Sequence, residues 1–295
     1  MDSSLLAARI LYVIMWVIFI ILIITIVSSI IALVKIDVTE YTVISKKIPD
    51  SFNDYKILQL SDLHNAKLGK NNSKILKEIE KIKPDIVVMT GDMINTNSKN
   101  YDNFFELAKE ITKNYMTYYI MGNHEQRLEW KKQFEFLRQL KNIGVNVLEN
   151  TDVTIYKNSE NINLYGLKQP ISSYKNALKN NTTTNFSLED MSKIFPAVNE
   201  KEFNILLSHS PFDFDIFSTW GADLTLSGHV HGGLIRLPFI GGVLSPERTF
   251  FPKYDAGEYV IGDSKMIVCR GLGNGTLPIR IFNNPEICVI TLKNK

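Results

Sequence analysis

Between Leu11 and Val34 the chain carries no charged residue, and Trp16 and Phe19 stand among many Ile, Leu and Val. A helix of about 24 residues rises roughly 36 Å, enough to cross a hydrocarbon layer of about 30 Å with some tilt. The run predicts a transmembrane anchor over 11–34, preceded by a short amino-terminal segment, 1–10. A cleavable signal peptide has a shorter apolar region, about 7–15 residues, closed by a small-x-small site. Here Ser28 and Ser29 lie inside the apolar run instead. Arg9 flanks the run on one side and Lys35, Lys46 and Lys47 on the other, so the charges assign no side of the membrane to the remainder.

After the apolar run the periodicity changes. Ile36, Val38, Tyr41 and Val43 alternate with polar residues over 36–44, the pattern of a half-exposed strand at the edge of a domain covering 35–295. Short apolar runs follow at 55–60, 85–90, 116–121, 145–148, 162–165, 203–207, 222–226, 266–269 and 287–292. Between them lie amphipathic helical stretches at 73–82, 101–113 and 127–142. In the last of these Trp130, Phe134, Leu137 and Lys141 mark helical spacing, and Gly144 stops it. Strands alternating with helices predict an α/β layered fold. Ser187 with Asp190 predicts a capping box, Ser210 with Pro211 a helix start, and the Asn/Thr-rich 180–185 a surface loop.

Composition narrows the function classes. Thirty-three basic residues stand against 31 acidic ones for a formal charge of +2, with no basic block, so no nucleic-acid surface is expected. Cys269 and Cys288 sit in apolar, strand-like stretches without the short spacing of a zinc or redox pair; buried structural thiols are the expectation.

Five segments share one design: an apolar strand runs into a tight turn bearing ligand-type residues. They are 56–64 (KILQLSDLH), 85–95 (DIVVMTGDMIN), 118–125 (YYIMGNHE), 204–210 (NILLSHS) and 223–233 (DLTLSGHVHGG). All five histidines of the chain, His64, His124, His209, His229 and His231, lie in these turns, together with Asp62, Asp92 and Asn123. A lone histidine is most often a satisfied structural residue. Five of them in strand-end turns, where α/β sheets assemble their sites, point to metal ligation.

The ordered set Asp62-x-His64, Gly91-Asp92, Gly122-Asn123-His124-Glu125, His209 and Gly228-His229-x-His231 resembles the signature of the calcineurin-like metallophosphoesterases. Gly232, Gly233, Ile235, Arg236 and Pro238, then Gly271, Gly273, Pro278, Arg280, Pro285 and Glu286, extend the likeness to the bacterial membrane-associated branch related to YkuE and YaeI. The resemblance implies a four-layer αββα sandwich of two mixed sheets. It also implies two divalent metals, one held by Asp62, His64, Asp92 and His231, the other by Asp92, Asn123, His209 and His229. Asp92 would then bridge them, and two close dications need such a shared anion. Nitrogen and oxygen donors without thiolate suit Mn, Fe or Zn rather than Ca.

The implied reaction is hydrolysis of a phosphodiester or pyrophosphate by a hydroxide held between the metals, with His124 protonating the leaving oxygen. Asn95 stands where the phosphoprotein phosphatases of this superfamily carry an aspartate paired with the acid histidine. An amide orients an imidazole without stabilising its cation, which argues against protein-phosphatase activity. Beyond His231, Leu234, Leu237, Phe239, Ile240, Val243, Leu244, Phe250 and Phe251 alternate with glycine and proline. This stretch, 234–251, has two readings: it rests on a bilayer and receives a lipid-linked substrate, or it folds back to complete the core. Two other functions compete, a UDP-2,3-diacylglucosamine-type pyrophosphatase and an inactive metal-binding membrane scaffold.

Overall fold

Apolar periodicity and strand alternation translate into elements that the structure, a computed structural model, describes for residues 3–174, 186–237, 239–245, 249–275 and 280–295. Helix α1 (Ser3–Val34) takes in the whole apolar run and reaches back through most of 1–10. Its described large apolar side chains are exposed from Leu5 to Ile31, and near its carboxyl end Ser28 is buried against Phe282.

Two six-stranded sheets follow. The first has the order β1 (Asp37–Ser45), β14 (Glu286–Asn294), β2 (Lys56–Leu60), β3 (Ile86–Met89), β4 (Met116–Tyr119), β5 (Asn146–Val147). Here β1 runs parallel to β14, β14 antiparallel to β2, and the rest parallel. The second has the order β12 (Gly257–Ile261), β13 (Ser264–Val268), β9 (Leu224–Ser227), β8 (Asn204–Ser208), β7 (Glu160–Leu167), β6 (Thr151–Lys157), antiparallel at both ends and parallel between. A small ribbon, β10 (Ile235–Leu237) with β11 (Gly241–Leu244), stands apart from both.

One buried cluster lies between the sheets, joining Ile57, Val88 and Ile290 of the first to Leu164, Ile205 and Leu226 of the second. Strands buried on both faces need unbroken apolar runs, which is why these were legible. Helices α2 (Ser73–Ile82), α3 (Asp102–Thr112) and α5 (Trp130–Asn142) cover the outer face of the first sheet. Helices α6 (Leu188–Ile194) and α7 (Phe214–Trp220) cover the outer face of the second. The fold is the expected αββα sandwich of two mixed sheets, with β1 at an edge and alternating in burial.

Several local expectations change. Helix α5 buries Phe136, Leu137 and Leu140, leaving Trp130 and Phe134 at 69% and 61% exposure, so its inward face is rotated from the one that the aromatic spacing marked. Helix α7 begins at Phe214 and not at Ser210-Pro211. Ser210 is held elsewhere, its N–H donating to Gln169 Oε1 and its carbonyl accepting from Ser208 Oγ. Strands β6 and β12 escaped notice because edge strands with mostly part-exposed positions present no apolar run. The Ser187 and Asp190 capping box forms, and Gly144 follows α5 with φ +90°. The loop expected at 180–185 lies outside the described residues.

Cys269 and Cys288 are free and buried between the sheets. They approach Glu286 closely enough for the three to offer ligand atoms within 4.8 Å of one another. Both Glu286 oxygens are already engaged, one by the Arg270 guanidinium at 2.8 Å and by Thr39, the other by the Arg270 N–H.

Candidate metal centre

Each of the strands β2, β3, β8 and β9 ends in a turn at the same edge of the sandwich. Asp62, His64, Asp92, His229 and His231 all adopt positive φ, between +48° and +73°. Non-glycine residues enter this left-handed region at a cost and collect at functional sites. There it turns the side chain out of the strand and into the space between the turns. The fifth ligand-bearing segment is supplied by α4 (Asn123–Gln126), which starts directly after β4.

The predicted residues converge. His231 Nε2 lies 3.3 Å from Asp62 Oδ1 and 3.0 Å from His64 Nε2. Asp92 Oδ2 lies 3.2 Å from His209 Nε2, 3.9 Å from His64 Nε2 and 4.0 Å from His124 Nε2. Asp62, His64 and His231 thus form one group of ligand atoms, and Asp92, His209 and His229 a second. Asp92 touches both groups. Asn123 is buried at the rim, and its Oδ1 has no hydrogen-bond partner. A buried, unsatisfied amide oxygen costs roughly 1–3 kcal/mol, which a dication at that position would relieve. The donor set of imidazole nitrogens, carboxylates and one amide oxygen fits divalent metal ions.

Partners behind the imidazoles orient them. The Thr90 carbonyl lies 2.7 Å from His209 Nδ1 and can only accept, so Nδ1 carries the proton and Nε2 faces Asp92. Asn95 does the same for His64: its Nδ2 donates to the His64 carbonyl, which leaves Oδ1 to accept from Nδ1 at 2.8 Å. This corrects the expectation that Asn95 stands behind His124. That place belongs to Thr96, whose N–H donates to His124 Nδ1 at 3.2 Å and leaves Nε2 as the protonated nitrogen. His124 is also the open one, with 20% of its side chain exposed against 1% for His64 and 0% for His209.

Charge is finely balanced before any metal binds. Burial lowers the pKa of His64 to about 4 and that of His229 to about 3, so both present neutral rings. Burial alone would lower His209 too, but Asp92 and Asp62 outweigh it and raise it to about 10. Asp62 is pushed up to about 6, chiefly by burial.

Glu125 has a role that sequence reasoning did not assign. Its buried carboxylate accepts from the N–H groups of Gly122, Asp92, Met93 and Ile94 at 2.7–3.2 Å, tying the Asp92 turn to the Asn123 turn. Its position, three residues after Gly122 at the start of a helix, was the available signal. Glu125→Ala leaves these buried donors without their acceptor; thermal denaturation is expected to show a loss of about 3 kcal/mol, with weakened metal binding. Gly122 is required by crowding, because a Cβ there would overlap Asp92 Oδ1. Tyr174 was also missed: its ring packs 5.2 Å from that of His229 and 6.0 Å from that of His209. No sequence motif marks it.

Beside His209, Gln169 links the strand end to a buried acid. Its Oε1 accepts from Ser208 and Ser210, and its Nε2 donates to Asp213 at 2.7 Å. Burial raises the Asp213 carboxyl from 3.8 to about 7. Between pH 4 and 7 the unfolded chain therefore ionises first, and stability falls as pH rises. Asp213→Asn is expected to remove that loss: equal to the wild type near pH 4, more stable by about 2–4 kcal/mol above pH 7. Melting curves across this range check it.

The model of the calcineurin-like phosphoesterase family matches residues 55–233, which contain every one of these turns. The chain belongs to that family. It is thereby a metal-dependent phosphoesterase. Among its relatives, the metallophosphoesterase YkuE of Bacillus subtilis is 30% identical over 88% of this chain and 86% of its own length. The metallophosphoesterase Cj0846 of Campylobacter jejuni is 30% identical over 87% of this chain, which spans 64% of that longer protein. The phosphodiesterase YaeI of Escherichia coli is 26% identical over 82% of this chain and 84% of its own.

Proposed function

We propose that the chain is a membrane-anchored, two-metal phosphodiesterase that cleaves phosphodiester or pyrophosphate bonds in lipid-linked or envelope substrates. The observation that carries this is the meeting of two ligand groups on Asp92, with one open imidazole, His124, beside them. Residues 35–295 form the catalytic domain, and 11–34 of α1 the anchor. Asp62, His64, Asp92 and His231 hold one dication; Asp92, Asn123, His209 and His229 hold the other. Mn, Fe or Zn fits both.

When bound, the dications neutralise phosphoryl oxygens and make a nucleophile available at neutral pH. The protein does the rest. Asp92 keeps two like charges close; the Thr90 carbonyl and Asn95 aim His209 and His64; His124 hands its Nε2 proton to the leaving oxygen. The openness of His124 argues against a scaffold, which has no use for a leaving-group acid at the mouth of the site. The YaeI name and the exposed α1 favour a diester held at a membrane.

The test compares the full chain with one lacking 11–34, each assayed with Mn²⁺ on soluble bis(p-nitrophenyl) phosphate and on a lipid-bearing diester in vesicles. The expected result is similar turnover of the soluble diester and at least about a tenfold loss on the vesicle substrate when the anchor is removed. Equal preference in both chains contradicts the lipid assignment.

A further inference from the structure

Most of the large apolar side chains described in 234–251 stay outside the core. Leu234 is buried, but the tip of the ribbon and the segment after it leave Phe239 fully exposed and Ile240, Phe250 and Phe251 at 61%, 65% and 61%. Phe282, from a distant part of the chain, is exposed by 52% and lines the same cavity as Phe239 and Ile240. Phe239, Phe251 and Phe282 all hold positive φ, between +49° and +67°, a conformation that strains bulky residues. An exposed aromatic cluster of this kind needs an apolar partner.

The identity of that partner follows from connectivity. β10 continues from the turn that carries His231, through Gly233 and Leu234. The Arg236 N–H donates to the Ile281 carbonyl at 3.0 Å, and the Ile281 N–H to the Leu234 carbonyl at 3.0 Å. The next residue, Phe282, donates its N–H to Ser28 Oγ of α1 at 2.6 Å. The metal-site turn, the ribbon and the apolar helix are therefore one hydrogen-bonded run. Phe282 also forms the wall between two cavities of about 470 Å³ each. One is polar, with Arg236, Asp255 and Arg270; the other is apolar, with Ile23, Ile24, Val27 and Ile31 of α1.

We propose that Leu237, Phe239, Ile240, Phe250, Phe251 and Phe282 form a foot immersed in the headgroup boundary of the bilayer that α1 enters. Aromatic side chains on an apolar surface favour that depth. The foot holds the catalytic mouth against the leaflet, so that a phosphoester reaches the site while its lipid tail stays in the membrane. This rests on the reading of α1 as an anchor.

The test is depth-dependent fluorescence of the full chain in phosphatidylglycerol and phosphatidylethanolamine vesicles. Phe239→Trp is placed in a chain with Trp16→Phe and Trp130→Phe, leaving only the buried Trp220 as a silent reference. Nitroxide lipids labelled near the headgroup are expected to quench position 239 by about half, and lipids labelled deep in the acyl chain much less. In a chain with Trp130→Phe alone, Trp16 reports α1 separately against the buried Trp220. If Trp16 is quenched but position 239 is not, the foot is wrong and the anchor stands. If neither is quenched, the anchor reading falls and the foot with it. Shielding of position 239 from both iodide and nitroxide lipids means a protein partner and also overturns the proposal. Phe239→Ser with Ile240→Ser is expected to lower turnover of the vesicle-borne diester about tenfold while leaving bis(p-nitrophenyl) phosphate unchanged; equal effects on both contradict it.

Discussion

Asp92→Asn is expected to lower turnover of bis(p-nitrophenyl) phosphate by a factor of about 10³ or more, at saturating Mn²⁺. Three facts set the size. Asp92 Oδ2 is the atom that approaches His209, His64 and His124 together, so its loss disturbs both ligand groups. Its other oxygen accepts from the His124 N–H at 2.7 Å and so positions the proposed acid as well. In the proposed two-metal arrangement an amide would also remove the negative charge shared between the two ions, and close dications repel by several kcal/mol even at a surface-like dielectric. Elemental analysis of the variant is expected to show at most one metal per chain. Full occupancy with near-normal turnover would mean that Asp92 does not bridge.

The second large effect depends on the leaving group. His124→Asn is expected to reduce cleavage of an alkyl diester by about 10²–10⁴, the usual range for a lost proton donor. With p-nitrophenolate, which leaves without a proton, the loss is expected to stay within about tenfold. KM is expected to change little, since His124 lies outside both ligand groups proposed for the ions. Equal losses on the two substrates would make His124 a positioning residue. Thr96 sharpens the expectation: its N–H occupies Nδ1, so the ring donates from Nε2 without a carboxylate behind it.

The layered fold was legible because the central strands are buried on both faces. IVVM in β3 is apolar throughout, NILLS in β8 has an unbroken ILL centre, and every position of both strands is buried; such short runs between amphipathic helices read as strands. Edge strands β6 and β12 were not legible, because TDVTIYK in β6 and GEYVI in β12 are only partly covered and their patterns blur. The site was visible as residue types at strand ends, and the structure brings its seven Asp and His residues together, with Asn123 buried next to His124 in the chain. Its wiring was not visible. Asn95 and Thr96 are neighbours in sequence, and a one-residue difference decides which histidine each supports. Tyr174 reaches the histidines from 35 residues before His209 in the chain, and Glu125 binds backbone N–H groups that no side-chain pattern reveals. Helix α5 shows the converse: Trp130 and Phe134 mark its helical spacing yet stay exposed, while Phe136, Leu137 and Leu140 are the residues it buries.

The most direct test is to strip the purified full chain of metal with a chelator and titrate Mn²⁺ back while following both bound metal and turnover. Two ions per chain, with activity returning only as the second binds, is the predicted result. Undiminished turnover by the stripped protein would contradict the account at its centre.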